Sequence, residues 1–457
     1  MSKIDIENKI PAGAIRLIDL FNKSGYEAYL VGGCVRDLLL KEKPHDFDIC
    51  TNAHPDKIKQ ILEDNNCKYH TIGIKFGTIT AMCNDGEYEI TTYRTDGEGY
   101  SDNRRPDKVE FVSELSLDLS RRDFTINALA YNPTQNEIVD MFNGYKDLIE
   151  HRLVAVGDAD KRFKEDALRI LRALRFAIKY DLQIEEKTKK AMRDNIKLLN
   201  KLSKERVASE LEKILTSGKE IKKWFMEYDW LIAEVIPEIK PTIGFDQNNK
   251  YHKHEVYEHM LAVVDGCKTN NFEIKLSALL HDIGKPDSYT EDEEGWGHFY
   301  GHPKVSAEIT EKILKNRLRL SNEQSSLVLE LVEYHDMTIG KTKASVRRAL
   351  NKHGKDFLDK WIILKEADIA DHKHADKIRE HYNLENINEL ITEILEEESC
   401  FSLKDLDVNG LDIMETLKMR PGKQVGEILN TLLNEVIDEK VENSKEVLLA
   451  KAIELYN

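Results

Sequence analysis

Asp46 and Asp48 lie one residue apart in Asp46-Phe47-Asp48-Ile49, a run that reads as the start of a strand. Alternate strand residues share a face, so the two carboxylates point to the same side. A carboxylate pair on one rigid face suits a hard divalent cation such as Mg2+. Upstream, the apolar run Tyr29-Leu30-Val31 turns on Gly32-Gly33 and enters a helical stretch carrying Arg36 and Asp37. A Gly-Gly turn at a helix start leaves N–H groups open to phosphate. Cation ligands joined to a phosphate cradle point to nucleotidyl transfer. Glu89 falls mid-strand in Tyr88–Arg94, where an apolar residue would ordinarily pack. It reads either as an exposed strand position or, the reading favoured here, as a third carboxylate beside the pair.

Three further sets of residues carry chemistry. Arg121-Arg122-Asp123 precedes an apolar helical pattern from Phe124 to Leu129; such residues also suit simple capping of a helix end. Residues 162–176, RFKEDALRILRALRF, read as one strong helix. It lines up Asp166, Arg169 and Arg172 along one side, with Arg175 next. An ion-paired face is the ordinary explanation, but the lack of other charge between them suggests a ligand wall. Downstream, His281-Asp282 ends the apolar run Leu276–Leu280, and a His and Asp at a buried helix end both need partners. His259 lies one helix earlier; His298, His302, His335 and Asp368 follow.

The Tyr29–Thr51 stretch together with RRDFTINAL, residues 121–129, resembles the DNA polymerase β-like nucleotidyltransferases. More narrowly it is similar to the CCA-adding tRNA nucleotidyltransferase and bacterial poly(A) polymerase family, in its bacterial and eukaryotic class. The resemblance implies that Arg121 and Arg122, with Gly32, Gly33 and Arg36, hold a nucleoside triphosphate, and that Asp123 contacts the ribose hydroxyl. Asp166 and Arg169 match the family's base-reading motif, followed by Arg172 and Arg175. That role is chemically sensible. Cytosine and adenine both set an exocyclic amino donor beside a ring acceptor, which an aspartate beside an arginine complements. Uracil and guanine reverse the order, at about 1–3 kcal/mol per unsatisfied buried group.

Other parts of the chain fit the same resemblance. The polar segment 95–108, with Glu98, Asp102, Arg104 and Arg105, corresponds to a loop linked with addition of the terminal A. The basic residues Lys187, Lys189, Lys190, Arg193, Lys197, Lys201, Lys204 and Arg206 read as a track for the tRNA backbone. Gly410, Pro421, Gly422 and Gly426 mark turns and a helix start suited to a tRNA phosphate. The histidine set resembles the HD phosphohydrolases, which implies a divalent transition metal held by His259, His281, Asp282 and Asp368, with His302 and His335 in the extended positions. Helix register leaves Asp371 competing with Asp368, and His254 with His259.

The elements that must position these groups follow from patterning. Residues 11–24 and 55–66 read as amphipathic helices. Gly73–Ala81 reads as a strand, turned at Asn84-Asp85-Gly86 into Tyr88–Arg94. The rest is largely helical. The expected class is therefore α+β: a polymerase β-like head of a small mixed sheet with helices (1–150), a helical neck (151–235), an HD body (236–385) and a helical tail (386–457). At 457 residues the chain has room for several domains. A net charge of −16 counts against non-specific coating of nucleic acid. Six scattered cysteines without a CxxC argue for the cytoplasm and against a zinc-thiolate site. No run of about eighteen apolar residues spans a membrane, and nothing calls for an obligate protein partner.

The expected function is template-independent addition of CCA to the tRNA 3′ end from CTP and ATP, with Mg2+. The alternatives are an A-adding enzyme or poly(A) polymerase of the same fold, and a metal-dependent HD phosphohydrolase with an RNA-binding head.

Overall fold

The computed structural model describes residues 9–96, 109–249, 253–374, 378–379, 382–396 and 402–456. Segment 97–108, with Glu98, Asp102, Arg104 and Arg105, lies outside the described residues. The chain divides into two compact units, one of Met1–Lys219 with Trp230–Ile236, the other of Glu220–Asp229 with Pro237–Asn457.

The first unit is built on a seven-stranded sheet. Its strands are β1 (Ala28–Val31), β2 (Ile49–Thr51), β3 (Lys68–His70), β4 (Thr78–Cys83) and β5 (Gly86–Thr92), then, after the separate pair β6 (Arg94–Asp96) and β7 (Val109–Phe111), β8 (Leu129–Asn132) and β9 (Glu137–Asp140). The order is β3-β4-β5-β2-β1-β8-β9. Only β2 and β5 run parallel; the other neighbours are antiparallel. Helices α1 (Ala12–Lys23), α2 (Gly33–Leu39) and α3 (Pro55–Asp64) bury Leu17, Ile18, Phe21, Val35, Leu38, Ile58 and Leu62 with Leu30, Ile49, Ile79 and Ile90 of the sheet. Strand and helix periods thus converge on one core. Helices α4 (Leu115–Ser120) and α5 (Gly144–Ile149) complete the head, and α6 (Ala159–Glu165), α7 (Leu168–Tyr180), α8 (Glu186–Asn195) and α9 (Lys204–Leu215) follow.

Four local expectations need correction. Strand β2 begins at Ile49 rather than Asp46, and of the expected start only the Asp48 carbonyl reaches β1, accepting the Val31 N–H at 3.0 Å. Gly73–Ala81 is not one strand: Ile74–Phe76 forms a 3-10 turn, Gly77 reverses at φ +80°, and β4 starts at Thr78. Phe124–Leu129 is not helical. Asp123 accepts the Phe124 N–H at 2.8 Å, Thr125–Asn127 makes a 3-10 turn, and Leu129 opens a strand between β1 and β9. The 162–176 helix breaks at Asp166 (φ −142°, ψ 103°), whose Oδ1 accepts the Leu168 N–H at 3.0 Å. Aspartate competes with the helix for backbone donors, and here it restarts one.

Among the described residues, the regular structure of the second unit is helical apart from one small hairpin. Helix α10 (Lys222–Glu227) belongs to it, and most of α11 (Asp229–Val235) to the first. Then come α12 (Val256–Gly266) and α13 (Phe272–Leu280), a hairpin of Thr290–Glu291 with Gly297–His298, and α14 (His302–Ile313), α15 (Asn322–Tyr334), α16 (Lys343–His353) and α17 (Lys355–Ala370). Helices α12, α13, α15 and α17 pack on one another, and α14 packs on α15. The last helices, Gly410–Leu417, Lys423–Ile437 and Lys445–Tyr456, share a separate core around Ile413, Leu432, Ile437 and Leu448. No helix of the described residues is long and apolar enough to cross a membrane.

Candidate active site and a second, histidine-rich centre

The parallel register Ile49–Ile90 brings Asp48, just before β2, level with Glu89 on β5. Burial and then the charges of Asp46 and Glu89 push the Asp48 carboxyl up to about 6, against the pull of Arg122. Asp48 thus feels two further negative charges against one arginine, and a carboxylate set of this kind suits a divalent cation. Asp46 is largely open to solvent, Asp48 half-buried.

The Gly-Gly turn borders this cluster. Gly32 has φ +79°, and a Cβ there would stand 2.7 Å from Arg122 Nη1. Arg121 and Arg122 both bond the buried Asp118, Arg121 at 2.8 Å and Arg122 at 3.4 Å. Both remain partly exposed. Arg36 is placed differently. It is 5% exposed, pairs with Asp37 and Asn127, and lies over the Tyr180 ring at 4.4 Å. The Tyr180 hydroxyl donates to Asp37 at 2.9 Å. Arg36 thus ties α2 to α7 instead of standing open at the turn. Asp123 is also occupied. Its Oδ1 accepts from Phe124 N–H and Asn127, its Oδ2 from Arg172 at 2.5 Å. Burial alone would raise its pKa, but Arg172 and Asn127 hold the carboxyl well below the usual range.

The α7 arginines do not form one wall; each faces its own carboxylate. Arg169 bonds Glu165 at 2.9 Å and the carbonyls of Arg162 and Arg121. Arg172 takes Asp123, and Arg175 takes the buried Glu210 at 2.8 Å. Asp166 and Arg169 stand at the α6–α7 break, joined through the main chain, where the Arg169 N–H donates to the Asp166 carbonyl at 3.1 Å, while their side chains take other partners. Asp166 is gripped by Arg206 of α9, through both oxygens at 3.1 and 2.9 Å. Sequence reasoning assigned Arg206 to the RNA track and missed this contact. Only the mixed spacing, with Glu165 before and Arg206 after, hinted that both base-reading candidates have private partners. Of the remaining track, Lys187, Lys190, Arg193, Lys197 and Lys201 are exposed.

In the tail, the Gly410–Leu417 helix start is filled: Asn409 accepts the N–H groups of Leu411 and Asp412. A phosphate there would have to displace its own cap. The Lys423–Ile437 helix has no side-chain cap.

In the second unit the histidines meet around Asp282. Its Oδ2 lies 3.4 Å from His259 Nε2 and 3.3 Å from His281 Nε2; its Oδ1 lies 3.2 Å from His302 Nε2 and 3.6 Å from His335 Nε2. Asp368 approaches His259 Nε2 at 3.3 Å. The competing residues sort themselves: Asp371 bonds His259 Nδ1 at 2.8 Å from behind, and His254 pairs with Glu258 and Asp371 outside the cluster. His298 is apart, on Asp292.

Nδ1 of His281, His302 and His335 donates to the carbonyl of Ala278, Phe299 and Val332 at 2.8, 2.8 and 2.7 Å. Each then presents an Nε2 lone pair to the centre, the tautomer of a metal ligand. The Nε2 atoms of His302 and His335 stand 3.1 Å apart, both turned to Asp282. Imidazole nitrogens and carboxylates gathered in this way fit a borderline-soft divalent metal. Burial would lower His259, but Asp368 and Asp371 raise it to about 9, so a proton balances the carboxylates there. Burial and the neighbouring imidazoles keep His335 neutral.

Residues 28–154 match the family described as Poly A polymerase head domain, 181–240 the family described as Probable RNA and SrmB-binding site of polymerase A, and 288–452 a tRNA nucleotidyltransferase domain 2. The chain is 32% identical over 440 residues to the CCA-adding enzyme of Lactococcus lactis subsp. cremoris (strain SK11), covering 95% of this chain and 94% of that one. It is 33% identical over 437 residues to that of Streptococcus thermophilus (strain CNRZ 1066), covering 96% and 95%. It also resembles the crystal structure of the Bacillus stearothermophilus CCA-adding enzyme in complex with CTP, with a TM-score of 0.70 and 26% identity over 97% of this chain and 96% of that one. The chain belongs to the CCA-adding enzymes of the poly(A) polymerase family.

Proposed function

We infer that the protein is a nucleotidyltransferase that adds the 3′-terminal CCA to tRNA from CTP and ATP without a nucleic-acid template. What supports this is the β2–β5 register that sets Asp48 level with Glu89, with Arg122 close to Gly32, in a chain similar over nearly its whole length to CCA-adding enzymes. The tRNA 3′-hydroxyl oxygen bonds to the α-phosphorus, the bond to the β-phosphate oxygen breaks, and pyrophosphate leaves. Nucleotidyltransferases of this kind use a divalent metal. We assign Mg2+, held by Asp46, Asp48 and Glu89; it would acidify the attacking hydroxyl and neutralise charge at the phosphates. Gly33, Arg121 and Arg122 hold the triphosphate, with Gly32 shaping the turn. Asp166 and Arg169 read the base edge. Arg36, Asp123, Arg172 and Arg175 fix the surfaces on which these act. Exposed lysines of α8 carry tRNA backbone, in the segment matched as an RNA-binding region. We place the reaction in the cytoplasm and keep the division into head, neck, HD body and tail.

The test uses tRNA transcripts ending before, within and after CC, with labelled CTP or ATP. The expected result is ordered C, C, A addition, lost in Asp46→Ala. Incorporation of A alone returns the A-adding or poly(A) reading; turnover in Asp46→Ala sinks the site assignment.

A second reading rests on the four imidazoles gathered around Asp282. We propose that His259, His281, Asp282, His302, His335 and Asp368 hold a divalent transition metal and that this centre hydrolyses phosphoesters. Water oxygen bonds to phosphorus, the bond to the ester oxygen breaks, and the alcohol leaves with a proton. Manganese-loaded protein should cleave bis(p-nitrophenyl) phosphate, and Asp282→Ala should abolish this while Asp46→Ala does not.

A further inference from the structure

Two cysteines meet at the edge of the head sheet. Strand β3 pairs with β4 as Lys68–Met82, Tyr69–Ala81 and His70–Thr80, and the same register carried one residue back sets Cys67 opposite Cys83. The kind of pair follows from the neighbouring ladder. The Thr92 N–H donates to the Gly77 carbonyl at 2.9 Å, one step outside the Thr78–Thr91 pair, so Ile79, Ala81 and Cys83 turn their main-chain groups to β5. Thr80 and Met82 then bond β3, which leaves Cys67 and Cys83 as a non-hydrogen-bonded pair. The Cys67 N–H accordingly donates elsewhere, to the Leu62 carbonyl at 2.8 Å. Opposed residues of that kind have Cα atoms about 4.5 Å apart and the closest side chains of a ladder. A disulfide spans about 4.4–6.8 Å between Cα atoms, so the pair needs no backbone movement to close.

Both side chains lie on the face that carries Ile79 and Ala81 into the core. Helix α1 covers them there. A Cβ on its Gly13 would stand 3.0 Å from Cys83 Cβ, and one turn on, Arg16 Nη2 lies 3.9 Å from Cys67 Sγ. Burial, and after it the Cys67 charge, push the Cys83 thiol up, against the pull of Arg16. Neither cysteine sits in a disulfide, and both are half-buried, whereas Cys34, Cys50 and Cys267 are buried. Unbonded cysteine is ordinarily a core residue. Two of them directly opposed at a partly open sheet edge, beside a guanidinium that favours thiolate, are unexplained by packing.

We propose that Cys67 and Cys83 form a reversible thiol–disulfide site whose co-reactant is a low-molecular-weight disulfide such as oxidised glutathione. One protein thiolate attacks a sulfur of that disulfide, a mixed disulfide forms and one small thiol leaves. The second protein thiolate attacks the protein sulfur of the mixed disulfide, the Cys67–Cys83 bond forms and the second small thiol leaves. Two protein thiols are oxidised, one small disulfide is reduced to two thiols, and these take up the two protons. Closed, the bond staples the edge strand β3 to β4 and constrains the unfolded chain. Glu89 alternates with Tyr88 and Ile90 and so faces the other side of the sheet, away from the staple. Nucleotidyl transfer therefore continues in the closed form.

The test uses the full chain, first reduced and then incubated with oxidised glutathione. Lys68 and Lys75 lie between the two cysteines, so trypsin separates Cys67 from Cys83 unless sulfur joins them. The expected result is the loss of two titratable thiols, a tryptic cross-link between Cys67 and Cys83 in the mass spectrum, a higher melting point, and reopening by reduced glutathione. CTP incorporation into tRNA should stay within twofold of the reduced protein. Cys67→Ser and Cys83→Ser should each stop at a mixed disulfide on the remaining cysteine, with no rise in melting point. A pair that stays reduced, or a cross-link that joins other cysteines, overturns the proposal. So does a Cys67–Cys83 bond that reduced glutathione cannot reopen, or one that cuts CTP incorporation more than twofold. The thiol and mass readouts do not depend on the transfer reading.

Discussion

Asp48 is the residue at which stability and chemistry oppose each other. Its carboxyl is raised to about 6, well above its value in an unfolded chain. The folded state therefore binds its proton more tightly than the unfolded state does. The resulting cost to stability is absent below about pH 4, grows as pH rises through 6, and is fully present at neutral pH. Asp48→Asn should then melt higher at pH 7.5 without divalent ions, by about 1–2 kcal/mol after allowing for its partial exposure, and lose that advantage at pH 4. The same variant should lose transfer activity by at least about 100-fold. Calorimetry at both pH values, with a CTP incorporation assay, checks both halves. Arg206 supports a different prediction. It grips both oxygens of Asp166, so Arg206→Ala should let that carboxylate swing. Misincorporation of UTP relative to CTP should rise about tenfold, the order of one lost polar contact, with the KM for tRNA little changed. An increase in tRNA KM with unaltered selectivity would return Arg206 to the RNA track.

Among the elements, the turn from β1 into α2 is the most exacting. Gly32→Ala would place a Cβ at φ +79° and 2.7 Å from Arg122 Nη1. The backbone strain is about 1–3 kcal/mol, and the guanidinium, a flexible end, would yield. A melting point lowered by that amount and a raised KM for both CTP and ATP are expected; unchanged KM would separate Arg122 from the triphosphate. This turn was legible in the sequence because its residues are contiguous: Tyr29–Val31 alternates as a strand and the glycines mark the reversal. Asp46 with Asp48, and His281 with Asp282, stood out as residue types for the same reason, whereas Glu89 and the other histidines were singled out without any local spacing to relate them. What the sequence hid was pairing across long separations. Arg172 with Asp123, Arg175 with Glu210 and Arg206 with Asp166 join residues that no local pattern relates. The break at Asp166 was hidden too, because the helical periodicity of 162–176 runs straight through it. Only the side chain's bond to Leu168 N–H reveals that the aspartate ends one helix and starts the next.

On the scale of the whole molecule, the proposed RNA track sets the exposed cations of α8 against a net charge of −16. Reversing Lys187, Lys190 and Arg193 to glutamate should raise the KM for tRNA and flatten its salt dependence while leaving CTP affinity near that of the parent. Filter binding across a salt series reads this directly. The second unit should respond to metal independently of RNA. Manganese at about 100 times its dissociation constant should stabilise that unit by about 2.7 kcal/mol, a shift visible by calorimetry and absent in Asp282→Ala. The orientation of its imidazoles has a further consequence. His281 and His335 close helices α13 and α15, where terminal carbonyls lack intrahelical donors, and His302 reaches a carbonyl just ahead of α14. Main-chain atoms, which no substitution can delete, choose the tautomer at three of the four rings. Side chains around the rings are thus free to drift over evolutionary time without turning the imidazoles away, and disabling the cluster requires replacing a histidine or the central Asp282 itself, or unravelling the end of a helix.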